Sequence, residues 1–243
     1  QNKKQEPVLS ARGIGLERGG RWLFRDLDLD LYEGEFLAIV GPSGVGKTTL
    51  LSCLCGMLEP SEGSVSFKLS GTSAHKPEDL RSHFGIVYQE LQLIPNADLL
   101  TNVLCGRLGR FRSLSTLLGF PKKLRQEAFR LLCELGVGEN PHKWAKHMSG
   151  GEKQRVAAAR VLFQKPKIYF ADEPASSLDA YYAGRVLGLL RQEADEKGKP
   201  VLCVLHNAEH IQRFADIALS LNQNDPKAHK MRRVRPVNEE AEI

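Results

Sequence analysis

The chain has 243 residues, of which 42% are hydrophobic and 26% charged, so it can form one large domain with a packed core. Small disulfide-stapled, collagenous and low-complexity classes are excluded. The formal net charge of +5 is small for this length and does not by itself indicate a nucleic-acid surface. No apolar run approaches the roughly 18 residues that span a bilayer, and residues 1–6 are polar, unlike a signal peptide. Any membrane association is therefore expected to be peripheral.

Four short apolar runs predict the strands of a buried sheet. They lie at 36–40, 85–88, 168–171 and 201–205. Each run is continuous rather than alternating, which is typical of parallel strands buried on both faces. Helical patterns lie at about 48–58, 122–136, 150–164 and 180–197. The alternation of strands and helices predicts an α/β fold.

Other segments extend this plan. Residues 8–33 and 64–70 alternate between apolar and polar, which predicts a half-exposed antiparallel patch. We expect residues 1–221 to form a single domain, with its core at 7–90 and 155–221 and a helical subdomain at about 91–154. Residues 222–243 are expected to form an edge strand at 231–237 and a polar tail.

Polar residues follow each of the four predicted strands. They are the segment 41–48, Gln89, the pair Asp172 and Glu173, and His206. Ligands of open α/β sheets bind beyond the carboxyl ends of the strands. The sequence therefore predicts a binding site where these residues converge.

A glycine-rich segment directly follows the first predicted strand and precedes the helical run that starts at Thr49. It fits the pattern G-x-x-x-x-G-K-[ST], and its residues are Gly41, Pro42, Ser43, Gly44, Val45, Gly46, Lys47 and Thr48. The glycines allow backbone N–H groups to surround phosphate oxygens, and the helix N-terminus adds positive potential. Lys47 can reach the β- and γ-phosphates, and Thr48 can bind Mg²⁺. The segment, together with Thr49, predicts a nucleoside triphosphate site; a plain glycine turn is the alternative.

Two adjacent carboxylates end the third strand, and their side chains point to opposite sides of the backbone. Asp172 therefore suits the Mg²⁺ shell, whereas Glu173 suits activation of the water that attacks the γ-phosphorus. His206 can donate to the γ-phosphate or hold that water, or it can be a plain polar strand terminus. A solvated loop is the alternative for the carboxylate pair.

Two adjacent glycines start the predicted helix at 150–164. Ser149 and Glu152 have the spacing of a capping box, and Gly150 and Gly151 open the backbone amides to a close approach by an anion. A well-capped helix is the simpler interpretation. Because the chain already has a phosphate loop, this second anion site is a candidate to complete the nucleotide site of another copy.

These motifs together resemble those of the ATP-binding subunits of ABC transporters along nearly the whole chain. The resemblance implies a P-loop NTPase fold of the RecA type, with a parallel-sheet core, an antiparallel β patch and a helical subdomain. It implies that 41–48 form the Walker A loop, 168–172 the Walker B strand and 149–152 the signature. It also implies that 177–179, which include Asp179, form the D-loop. Single residues are assigned as well: Gln89 as the Q-loop glutamine and a metal ligand, Glu173 as the catalytic carboxylate, and His206 as the switch histidine.

The resemblance also implies cofactors and partners. ATP and Mg²⁺ would bind between two subunits, most simply identical ones, that close head to tail and drive an integral membrane permease from the cytoplasmic face of the inner membrane. Residues 102–109 and 117–121 resemble those of the phosphonate-import ATPases, which implies a solute-binding protein in the full system. No nucleic-acid partner is expected, because the sequence shows no strongly basic extension. Lipoprotein-release and metal-chelate systems share the general plan. A soluble ABC ATPase and another P-loop protein, such as a kinase or GTPase, are the alternatives.

The sequence departs from the family pattern at two places. The signature has Met148 and Glu152 where leucine and glutamine are commonest, and Glu152 adds a negative charge near a phosphate. The aromatic residue that stacks on adenine is missing near Arg18. Either the Arg18 guanidinium stacks on the base or Trp22 does.

Apolar residues after Gln89 suggest a surface that receives a short permease helix. They are Leu91, Leu93, Ile94, Leu99 and Leu100, with Arg107, Arg110 and Arg112 as neighbouring cations. The alternative is that these leucines form the core of the helical insertion.

Overall fold

The computed structural model describes residues 6–69, 71–72, 80–110 and 119–235, with the side chain of Arg110 left out. The chain forms two compact units: Gln1–Phe84, Lys167–Asp172 and Arg191–Ile243 make the first, and Gly85–Pro166 and Glu173–Leu190 the second. Arg112, residues 117–118 and residues 236–237, all used in the sequence analysis, lie outside the described residues.

A three-stranded antiparallel sheet belongs to the first unit. Its strands β1 (Leu9–Arg18), β2 (Arg21–Leu31) and β4 (Glu62–Phe67) lie in the order β2-β1-β4. Gly19 and Gly20 join β1 to β2 with φ angles of 61° and 75°, which is the left-handed conformation that a two-residue hairpin turn requires. The predicted antiparallel patch is confirmed.

A larger sheet contains the buried strands. Its members are β3 (Phe36–Val40), β5 (Phe84–Val87), β6 (Ile168–Asp172), β7 (Val201–Val204), β8 (Ile217–Ser220) and β9 (Lys230–Arg233). Among the described residues the strand order is β5-β6-β7-β3-β8-β9. The β6–β7, β7–β3 and β3–β8 pairs are parallel, and β9 is antiparallel to β8. The four predicted core strands are confirmed, and the C-terminal edge strand is present but ends at Arg233, earlier than predicted.

Four of the helices in the described residues agree in position with the predicted ones, and two further short helices lie outside the helical ranges that the sequence indicates. They are α1 (Lys47–Leu54), α2 (Leu99–Leu104), α3 (Lys122–Glu134), α4 (Gly150–Gln164), α5 (Ala180–Lys197) and α6 (Ala208–Phe214). None of these described helices is long and apolar enough to cross a bilayer.

Helix α1 ends four residues earlier than the sequence predicts. Gly56 has a φ of 68°, its N–H donates to the Cys53 carbonyl, and the Met57 N–H donates to the Ser52 carbonyl. This is a Schellman termination, in which a left-handed glycine satisfies the last carbonyls of the helix. The apolar residues after Cys55 therefore lie outside α1.

The second unit has its own hydrophobic core. Residues from α2, α3 and α4 pack together there, including Val103, Leu132 and Phe163, which are fully buried. Their burial follows from the apolar faces of the three helices. This core fixes the position of α4, which carries the predicted signature at its N-terminus.

Candidate functional site

The loop between β3 and α1 adopts a conformation that depends on its glycines. Gly41, Gly44 and Gly46 have φ angles of 147°, 74° and 107°, a region that L side chains rarely adopt. A Cβ at Gly41 would lie 3.0 Å from the Leu221 carbonyl oxygen. Gly46 is the N-cap of α1 and provides no side-chain cap. The first turn of α1 thus presents its amides at the loop, as a phosphate site requires.

Lys47 lies inside this loop. Its side chain is buried, and its Nζ donates to the carbonyl oxygens of Gly41 at 3.0 Å and Pro42 at 2.8 Å. Burial of an ammonium group is tolerated only with such partners. A phosphate oxygen in the loop would have this cation within reach.

Thr48 and Asp172 meet in the first unit. The Thr48 hydroxyl donates to Asp172 Oδ1 at 3.1 Å, and Asp172 is buried at the carboxyl end of β6. Hydroxyl and carboxylate oxygens are the hard ligands that Mg²⁺ prefers, and Mg²⁺ commonly completes its shell with waters and substrate phosphates. Among the described residues no group of three His, Cys, Asp or Glu could hold a metal ion. The pair therefore supplies two oxygen ligands of the kind that suit a magnesium ion.

His206 follows β7 at the same edge of the sheet. It is exposed, and the next residue, Asn207, caps α6 by accepting the N–H groups of Glu209 and His210. Because β7 lies between β6 and β3, the carboxyl ends of these three strands are neighbours. The first unit thus brings the phosphate loop, Asp172 and His206 to one sheet edge, as predicted.

The β1–β2 hairpin carries both candidates for the adenine contact. Arg18 is exposed at its end, whereas the Trp22 ring has the Arg25 guanidinium 4.3 Å from its centroid. A Cβ at Gly46 would lie 3.2 Å from Leu23 Cβ, so the start of β2 lies beside the phosphate loop. The hairpin is therefore placed to meet a nucleotide bound there.

Gln89 is exposed in a turn of the second unit, closed by the Leu91 N–H donating to the Tyr88 carbonyl at 2.9 Å. Leu91 and Gln92 both have left-handed φ angles, 56° and 44°, which are strained for residues with a side chain. Arg160 of α4 donates to both of their carbonyl oxygens at 2.7 Å. One guanidinium thus holds the backbone directly after Gln89.

Glu173 is also strained, with a φ of 49°. The buried side chain of Gln154 in α4 donates to the Glu173 carbonyl at 2.7 Å and accepts the Ser177 N–H at 2.9 Å. Strained backbone persists where the surrounding structure fixes it, and functional sites are common places for it. Gln154 therefore fixes the backbone that carries the Glu173 carboxylate.

The predicted signature forms the N-terminus of α4. Ser149 Oγ accepts the Glu152 N–H at 3.2 Å, and Glu152 Oε2 accepts the Ser149 N–H at 2.7 Å, which confirms the predicted capping box. A Cβ at Gly151 would lie 3.3 Å from the Ser177 carbonyl oxygen, so a larger residue would crowd the predicted D-loop. Asp179 accepts the Tyr182 N–H at 2.9 Å near the start of α5.

The prediction of a permease-binding surface is wrong for three of its residues. Leu99 and Leu100 are buried in the core of the second unit, since the apolar face of α2 packs there. Arg107 is buried, with its guanidinium donating to Glu127 at 2.8 and 2.9 Å and to the Phe163 carbonyl at 2.5 Å. These three residues maintain the fold. Of the suggested apolar residues, Ile94 is exposed.

Sequence reasoning missed Gln154 and Arg160. Both lie on α4 at helical spacing from buried apolar residues. For Gln154 these are Ala157, Ala158 and Val161, and for Arg160 they are Val156 and Phe163. A polar residue on the apolar face of a helix needs a hydrogen-bond partner, so the position of these two residues was a signal that each bonds to another segment. The loops that supply those partners cannot be identified from helical spacing.

Comparison with known proteins defines the class. A family model described as "ABC transporter" matches residues 24–176, which is more than half of the chain. The chain belongs to the ABC transporter family, as an ATPase subunit. The fold class implied by the sequence resemblance is confirmed.

Individual relatives agree with this class. Phosphonates import ATP-binding protein PhnC 2 of Oceanobacillus iheyensis is 35% identical over 223 residues, covering 90% of this chain and 88% of that protein. The PhnC protein of Caulobacter vibrioides is 35% identical over 224 residues, covering 89% and 85%. A dimeric structure of the ATP-binding cassette MJ0796 in a post-hydrolysis state, bound to ADP and Pi, has a TM-score of 0.81 at 26% identity, covering 94% of this chain and 99% of that one. The predicted resemblance to the phosphonate-import ATPases is confirmed.

Proposed function

We propose that this chain binds Mg-ATP at a head-to-tail dimer interface and drives a membrane permease that imports phosphonate or a related solute. The names of the two relatives described above support the solute class, and the MJ0796 dimer supports the pairing of two cassettes. The subunit would act at the cytoplasmic face of the inner membrane. It would have a core at 7–90 and 155–221, a helical subdomain at about 91–154, and a tail at 222–243.

The observation that carries this proposal is the contact of Thr48 with Asp172 beside the phosphate loop. In the proposed complex the loop amides and Lys47 bind the β- and γ-phosphates, and Thr48, Asp172 and Gln89 hold Mg²⁺. When bound, Mg²⁺ neutralises negative charge on the phosphate oxygens. Arg18, whose planar guanidinium is exposed, stacks on adenine in this proposal, and the Trp22 ring, which has Arg25 over one face, is the alternative.

Hydrolysis requires a water in line with the γ-phosphorus. In this proposal Glu173 accepts the proton of that water, and its backbone is held for the task by Gln154. His206 donates a hydrogen bond to the γ-phosphate. Positioning and electrostatics supply most of the rate enhancement in such a reaction.

In this proposal the signature binds the nucleotide of a second copy rather than the nucleotide of its own chain. The amides at Ser149, Gly150 and Gly151, at the capped N-terminus of α4, would bind the triphosphate held by the opposite copy. Asp179 would lie at the same interface, following Ser177 and Leu178, which adjoin Gly151. Each dimer would then contain two equivalent nucleotide sites.

The permease would contact the segment after Gln89, at the exposed Ile94 and the half-buried Leu93. Replacing Ile94 with aspartate should abolish coupling to transport without changing the intrinsic ATPase rate. Undiminished transport by that variant would refute this contact.

The proposed function is tested by reconstituting the chain with a phosphonate permease and its solute-binding protein. We expect ATPase activity that requires Mg²⁺ and is stimulated by the solute-binding protein loaded with a phosphonate. Stimulation by a metal chelate or a lipoprotein instead would overturn the solute class. Failure to capture any integral membrane permease would favour a soluble ABC ATPase.

A further inference from the structure

The last residue of the signature carries a negative charge close to the site proposed for the phosphate of a second copy. Glu152 completes the capping box with one carboxylate oxygen, a hydrogen bond that a neutral glutamine would make equally well. The charge itself is therefore not needed for capping. A carboxylate beside a phosphate repels it, so this signature needs a compensating cation.

Lys143 is that cation. Its Nζ lies 2.7 Å from Glu152 Oε1 and 3.0 Å from Oε2, so it contacts both oxygens of the carboxylate. The two side chains are only partly exposed, at 31% for Lys143 and 25% for Glu152. The pKa of Glu152 is lowered to about 2, first by the bond from Lys143 and then by the Ser149 N–H. Glu152 is thus fully ionised, and paired, at neutral pH.

The backbone around Lys143 is held in place, which pre-organises the ion pair. The Lys143 carbonyl accepts the Leu99 N–H at 3.2 Å, and the Ala145 N–H donates to the Ala97 carbonyl at 3.0 Å. Asp98, between these two partners, caps α2 through the Thr101 N–H at 2.7 Å. The lysine therefore approaches Glu152 from a backbone fixed by α2 rather than from a free loop.

We propose that Lys143 is a positioning residue of the signature, which neutralises Glu152 so that the amides of Ser149 to Gly151 can accept the triphosphate of a second copy of this chain. The proposal rests on the head-to-tail site proposed above. It differs from a purely structural role for Lys143 in one respect. Loss of the lysine should be harmful only while residue 152 is negatively charged.

A double-mutant cycle tests this dependence. Lys143→Met removes the charge but keeps most of the aliphatic stem, and it is made both alone and together with Glu152→Gln. All proteins also carry Glu173→Gln to prevent hydrolysis, and the dissociation constant of the ATP-dependent dimer is measured by sedimentation. We expect Lys143→Met to weaken the dimer about tenfold when Glu152 is present and less than about twofold when Glu152→Gln is also present.

Lys146→Met is the matched control, since the Lys146 ammonium lies over the Trp144 ring, 4.5 Å from its centroid, and not on the signature. It should change the dimer constant less than about twofold. Equal losses from Lys143→Met in both backgrounds would show a structural role and overturn the proposal, as would no loss in either. If no protein in the set dimerises although each monomer still binds ATP, the shared site itself is refuted, and the role of Lys143 with it.

Discussion

The phosphate loop of the first unit and the signature of the second unit both present helix N-terminal amides, but they are built differently. The loop depends on its own backbone: three glycines with left-handed φ angles lie within six residues, and Lys47 bonds to carbonyls of the same loop. The signature depends on distant partners, with Lys143 on its capping glutamate and Gln154 linking α4 to the backbone of Glu173. The phosphate loop is therefore encoded locally, whereas the signature, which we propose to serve a second copy, is held by contacts within the second unit.

The largest expected effect separates catalysis from binding. Glu173→Gln should lower the rate of ATP hydrolysis by about a hundredfold to ten-thousandfold, because a general base is lost while the phosphate loop is unchanged. Nucleotide affinity, measured by equilibrium binding, should remain at the wild-type value. Hydrolysis at the wild-type rate would show that Glu173 is not the base.

The next effect tests the locally encoded site. Lys47→Ala should weaken ATP binding by about tenfold to a hundredfold, since a hydrogen bond from a charged group contributes about 1.5–3 kcal/mol. Titration calorimetry with ATP measures the change. An unchanged affinity would mean that the loop does not bind the triphosphate through this lysine.

A smaller effect tests the contacts made by α4. Gln154→Met removes the donor to the Glu173 carbonyl and the acceptor of the Ser177 N–H, so we expect hydrolysis to fall about tenfold or more while ATP affinity of the monomer is kept. Gln192→Met is the control, because Gln192 is exposed and its side chain bonds to Glu196, one turn away in α5. Loss of ATP affinity in parallel with the rate would indicate general unfolding rather than misplacement of Glu173.

The smallest effect concerns acid stability. Because the pKa of Glu152 is about 2 in the folded chain against 4.5 normally, its stabilising contribution is full above about pH 4.5 and is lost as the pH falls towards 2. Glu152→Gln should therefore reduce the stability lost between pH 5 and pH 3 by about 1 kcal/mol, allowing for solvent screening. Denaturant unfolding at the two pH values measures this. An identical loss in both proteins would contradict the pairing with Lys143.

Residues that act through local backbone geometry could be identified from the sequence. The glycines of the phosphate loop, the capping box at Ser149 and the buried strand before Asp172 all have signals within a few residues, and the structure has these features. Arg107 shows the opposite case. The sequence suggests this residue as a cation of the permease surface, but it is buried and bonds to Glu127 and Phe163, which are 20 and 56 residues away in the chain. Spacing within one segment cannot reveal partners at such separations, which also explains why Gln154 and Arg160 were missed.

The shared site between two copies is the central claim, and a structure of the Glu173→Gln protein trapped with ATP tests it most directly. We expect the γ-phosphate bound by Lys47 of one copy to lie within hydrogen-bond distance of the amides at Ser149 to Gly151 of the other copy. ATP bound in the phosphate loop with those amides far from any nucleotide would contradict the account.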